Sequence, residues 1–119
     1  MEFVRIQLRL QNPEEPQRAE GFEALVDTGA LVSVVPATLL ERLGIVPHWK
    51  QSFTLAKGSR VERRMGIVTA EYDGRANGVP VAFGEPGDAS LIGVTTLELL
   101  GLEVDPVRQE IKKTDLFLL

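Results

Sequence analysis

The chain has 119 residues, 44% of them hydrophobic and 25% charged, which suits one compact domain over 1–119 and excludes a disordered tail or a collagen-like repeat. It holds no cysteine and a single histidine, His48, so disulfide frameworks, thiol catalysis, Fe–S ligation, cysteine zinc sites and His-rich metal sites within one chain are all excluded. A net charge of −4 argues against nucleic-acid binding, and no apolar run approaches the ~18–20 residues of a membrane span, so carboxylates are where acid–base chemistry has to be sought.

The opening residues Met1-Glu2-Phe3-Val4-Arg5 lack a signal-peptide core, which sets a cytoplasmic expectation. Val4, Ile6, Leu8 and Leu10 alternate with polar residues and predict a half-buried strand that stops at Asn12-Pro13. A second strand, Gly21 to Val26, runs straight into Asp27-Thr28-Gly29-Ala30. The β-branched run from Leu31 to Val35 predicts a third. Pro36 opens a short helix over 37–43, and Gly44 stops it.

Trp49 to Leu55 and Arg60 to Arg64 are two extended runs about the tip Ala56-Lys57-Gly58-Ser59, the pattern of a projecting hairpin. Further strands are expected at Met65–Tyr72 and Gly78–Phe83, joined through the turn dipeptides Asp73-Gly74 and Asn77-Gly78, with a loop over 84–88. Leu97-Glu98-Leu99-Leu100-Gly101 echoes Leu40-Glu41-Arg42-Leu43-Gly44, and a threonine lies two residues before each. The echo implies two halves that each end in a short helix. The tail closes on Leu116-Phe117-Leu118-Leu119, apolar residues that call for a partner surface. The fold class expected is mainly β, a small closed or nearly closed barrel with two short helices.

Asp27 lies between an apolar strand and a glycine turn, a frame in which a carboxylate is costly unless hydrogen-bonded. Asp-Thr-Gly alone reads as a turn. In context, Ala24 to Ala30 followed by Ser33 and a helix resembles the active-site motif of the retropepsin-like aspartic proteases. Ser90-Leu91-Ile92-Gly93 before a second helix resembles that family's other signature, and the hairpin tip falls where the family places its flap.

The resemblance, over roughly 21–105, implies an acid-protease-like barrel and, with a single Asp-Thr-Gly, a homodimer acting on polypeptide without metal or cofactor. It makes Asp27 the catalytic carboxylate. Thr28 would bond across the dimer axis, and Gly29 with Ala30 would complete the active-site loop. Ala56, Lys57, Gly58 and Ser59 would form the flap that closes on substrate. Leu91, Ile92 and Gly93 would support the catalytic turn. Two paired Asp27 carboxylates cannot both ionise comfortably, so they would share a proton and act as general base and general acid on a water and the scissile carbonyl.

The residue after Asp-Thr-Gly-Ala, often polar in this family, is Leu31 here, and Lys112-Lys113-Thr114-Asp115 interrupts the terminal strand. The alternative function is a catalytically silent module that keeps the fold and binds a peptide or dimerises. The basic residues Lys57, Arg60, Arg63 and Arg64 are read as a solvated hairpin, His48 beside Trp49 as a surface or hairpin residue, and Asp105-Pro106 as a turn.

Overall fold

The computed structural model describes residues 4–115. The first two strands, β1 (Arg5–Gln11) and β2 (Ala19–Asp27), pair antiparallel and bury alternate residues: Ile6, Leu8 and Leu10 on one, Phe22, Ala24 and Val26 on the other. That alternation is the period of a strand with one face on a core. The turn between them hangs on Asn12. Its side-chain oxygen accepts the Glu14 and Glu15 N–H groups, and its amide donates to the Leu43 carbonyl at 2.9 Å.

A short strand β3 (Ser33–Pro36) leads into helix α1 (Ala37–Arg42). The projecting hairpin is β4 (Trp49–Thr54) against the start of β5 (Arg60–Tyr72), which continues into the barrel and pairs with β6 (Arg75–Gly84). Strand β7 (Leu91–Gly93) then feeds helix α2 (Val94–Leu100), and β8 (Leu102–Asp105) pairs with β9 (Glu110–Lys113) in a separate ribbon. The main sheet runs β1-β2-β7-β3-β6-β5, and β1 pairs back onto β5, so six strands close into a barrel with β4 outside the ring. Closure removes the exposed edges that an open sheet would present.

The halves of the barrel are related by a constant spacing of 57 residues. Arg18 and Arg75, Gly21 and Gly78, Ser33 and Ser90, Thr38 and Thr95, Leu40 and Leu97, and Gly44 and Gly101 are matching pairs. The pairing follows the same rule: β2 joins β7 in parallel with Leu25 opposite Leu91, and β6 joins β3 in parallel with Ala82 opposite Val34. Each half therefore lends its short strand to the other half's long strand, and β3 meets β7 antiparallel at the centre.

Several sequence expectations need correction. The third strand begins at Ser33 and not at Leu31, because the carbonyls of Ala30 and Leu31 turn away to accept the first N–H groups of α2. The hairpin's return strand and Met65–Tyr72 are one continuous strand. Asn77-Gly78 is not a turn but lies within β6. The reversal is made by Asp73-Gly74 alone, whose φ angles of 48° and 85° are those of a two-residue hairpin turn with both central residues left-handed. The β8–β9 ribbon was not expected, since Glu110–Lys113 has only Ile111 as an apolar residue. Leu116 to Leu119, for which a partner surface was expected, lie outside the described residues.

Candidate active site

Asp27 is the last residue of β2, opposite Gly93 in the parallel pairing with β7. Its carboxylate faces outward and accepts the Gly29 N–H at 2.9 Å, while its carbonyl accepts the Ala30 N–H at 3.1 Å. The loop is thus folded back on its own carboxylate, leaving the other oxygen available.

What fixes the loop from below is β7 and the helix after it. Helix α2 has no side-chain cap at its N-terminus. Its first N–H groups need acceptors, and they find them in the loop: Val94 donates to the Ala30 carbonyl at 2.8 Å and Thr95 to the Leu31 carbonyl at 3.0 Å. Beneath this lies Ser33, buried, whose hydroxyl accepts the Gly93 N–H at 3.0 Å and shares a 2.6 Å hydrogen bond with the Thr96 hydroxyl. Helix, strand and loop are joined by polar groups that all have partners, which gives the exposed carboxylate a rigid seat.

A groove of about 600 Å³ runs past Asp27. Its floor is Gly29, Ala30, Leu31, Val32, Val34, Ala82 and Leu91, and its roof is the inner face of the hairpin, Phe53 to Ala56 with Val61. The lining is mostly apolar, as in sites that take up extended or drug-sized ligands. Among the predicted site residues, Asp27, Gly29, Ala30, Ala56 and Leu91 line this groove. Thr28 is exposed beside it, and Lys57, Gly58 and Ser59 lie exposed at the hairpin tip. Ile92 and Gly93 are buried behind the loop, where they pack.

Two polar wall residues, Arg63 and Asp88, were not among the predicted site residues. Arg63 on β5 makes a bidentate pair with Asp88, Nε to Oδ2 at 2.7 Å and an η nitrogen to Oδ1 at 2.8 Å. Arg63 therefore does not belong with a solvated basic hairpin, and Arg64, with its guanidinium 4.8 Å from the centre of the Phe83 ring, is likewise engaged. The signal available was parity: Arg63 shares the inward face of β5 with Val61 and Met65, and an inward arginine requires an acceptor. The guanidinium in turn holds the Asp88 carboxyl below its ordinary value, assisted by the Glu85 N–H.

A family model described as aspartyl protease matches residues 18–106. No curated protein matches the sequence. Among solved structures, the EIAV protease complexed with the inhibitor HBY-793 is similar at 21% identity, with a TM-score of 0.61 over 87% of this chain and 93% of that one. At that identity the likeness is one of fold.

Proposed function

The chain belongs to the aspartyl protease family, and from that premise we propose that it is an endopeptidase whose active unit is a homodimer, each chain supplying one Asp27. The observation that carries the reading is the outward-facing Asp27 carboxylate on a braced Asp-Thr-Gly loop at the floor of an apolar groove. A second carboxylate is needed for acid–base chemistry on a peptide bond, and a twofold axis beside this loop would bring one.

In such a dyad one carboxylate is ionised and takes a proton from a water while the other, protonated, donates to the scissile carbonyl oxygen. The water oxygen bonds to the carbonyl carbon, and the tetrahedral adduct collapses by breaking the C–N bond as a proton passes to the leaving amine. No bond between enzyme and substrate forms. Thr28 would tie the two loops together, Gly29 would admit the substrate backbone, and the tip Ala56 to Ser59 would fold over the peptide and exclude water. Leu91, Ile92 and Gly93 would keep the loop in place. The proposal includes cytoplasmic action, with which the cysteine-free sequence is compatible.

The test is the purified chain beside Asp27→Asn on a mixed library of unstructured peptides. Wild type should cleave and the variant should lose at least ~100-fold of the rate, the usual weight of a positioned acid–base group. Specific activity should climb with protein concentration until the dimer saturates. Equal cleavage by both proteins overturns the mechanism, and peptide binding without cleavage by the wild type supports the silent-module reading instead.

A further inference from the structure

The hairpin leaves the body early. Pairing of β5 with β6 begins only at Met65, so residues 49–64 project beyond the barrel with β4 as a free edge. Among the described residues, one ion pair joins this projecting ribbon to the rest of the molecule, and it is Arg63 with Asp88. Lys50 and Glu62 pair within the ribbon itself.

The two ends of that contact have different duties. Arg63 stands opposite Gln51, two residues from Val61 in the groove's roof. Asp88 lies in the β6–β7 loop, three residues before Leu91, where β7 begins its pairing with β2 beneath Asp27. The loop is itself closed by the Asp88 N–H to the Glu85 carbonyl and the Glu85 N–H to the Asp88 carboxylate, 2.9 and 2.8 Å. Both side chains are only partly exposed, 19% and 25%, so solvent screens the pair less than it would one on the open surface. Both are also occupied. Arg63 uses its planar fork on one carboxylate and donates a further bond to the Glu62 carbonyl, and Asp88 accepts three hydrogen bonds. A guanidinium neutralised in this way is a poor reader of acidic substrates and a good fixed strut.

We propose that Arg63 and Asp88 form a positioning pair that seats the hairpin across the Asp27 groove and so sets its grip on a bound polypeptide. The contribution to catalysis rests on the peptidase reading above, whereas the seating of the hairpin does not. Arg63 and Asp88 touch no reacting atom; they act through the hairpin's inner face.

Amide hydrogen exchange tests the seating directly. In Asp88→Asn and Arg63→Gln, exchange over residues 50–62 should quicken about 10-fold, the weight of a hydrogen-bonded charge pair, while β1–β2 amides keep their wild-type protection. The double variant should be no faster than either single one, because both remove the same contact. Arg63→Lys, which keeps the charge and loses the fork, should fall between and serves if the others fold poorly. On a peptide cleaved by wild type, KM should rise about 5–10-fold with kcat changed less than about 2-fold, a loss of grip with the chemistry intact. Unchanged exchange in the hairpin, or additive effects in the double variant, overturns the proposal. Loosened exchange in a protein that cleaves nothing would uphold the seating and remove the peptidase reading alone.

Discussion

Gly93 stands where no side chain fits. A Cβ there would lie 2.5 Å from both the carbonyl carbon and oxygen of Val32 and 3.0 Å from the Ala30 carbonyl, and these are backbone atoms of the loop that carries Asp27. Gly93→Ala must therefore push the loop away from β7 or fail to fold. The expected cost is about 2–4 kcal/mol, in the range of strained backbone and overpacked cores, measured by denaturant melts. Ser33 is the milder probe of the same seat. Ser33→Ala leaves the Gly93 N–H buried without an acceptor and costs about 1–3 kcal/mol, whereas Thr96→Val removes only the hydroxyl partner and should cost less. A Thr96→Val protein weaker than Ser33→Ala would mean that the Gly93 N–H is not what Ser33 is there to satisfy.

At the scale of elements, the two short helices are held at their ends. Each stops at a glycine with positive φ, 77° at Gly44 and 65° at Gly101, and each end is met by the arginine of its own half, Arg18 and Arg75, which match at the 57-residue spacing. An Arg18 η nitrogen donates to the Arg42 carbonyl at 2.7 Å, and one Arg75 η nitrogen reaches the carbonyls of Leu100, Gly101 and Thr114. Positive charge at a helix C-terminus is favourable, and more so when half-buried. Arg75→Ala should thus destabilise by about 1.5–3 kcal/mol, the range for hydrogen bonds to a charged group, and also free β9 from α2. Arg18→Ala, on a more exposed side chain, should cost less than 1 kcal/mol or so. Paired thermal melts decide the order.

Alternation in β1 and β2, the glycine stops, and the Asp-Thr-Gly turn were all legible because they depend on local period and turn chemistry. The turn at Asn77-Gly78 misled, since the Asn77 amide reaches across to the Leu99 carbonyl instead of reversing the chain. The Arg63–Asp88 pair and the β8–β9 ribbon were hidden because their partners are distant in sequence or nearly all polar.

For the whole molecule, the 57-residue spacing accounts for why one chain offers one carboxylate. The position matching Asp27 in the second half is Gly84, which ends β6 beside Pro36 just as Asp27 ends β2 beside Gly93. The barrel plan is built twice but carries a carboxylate at this point only once, so it presents Asp27 on one side and, on the other, Gly84 and the loop that holds Asp88. That division bears on behaviour in acid. Two carboxyls outside the Asp27 loop are held below their ordinary values by arginines: Asp88 by Arg63, between hairpin and loop, and Glu20 by Arg42, between β2 and α1. A lowered folded value means that each pair stabilises the protein fully above the unfolded values, near 3.8 and 4.5, and that this contribution fades as pH falls through the lower folded ones. Melting temperature should therefore hold from neutrality to about pH 5 and drop below about pH 4. Asp88→Asn should melt lower than wild type at neutral pH and lose less on acidification, with the two curves converging toward pH 2. Glu20→Gln should behave alike but by a smaller margin, because that pair is more exposed. Parallel curves for wild type and Asp88→Asn would show that the contribution of Asp88 to stability does not depend on its ionised pairing with Arg63.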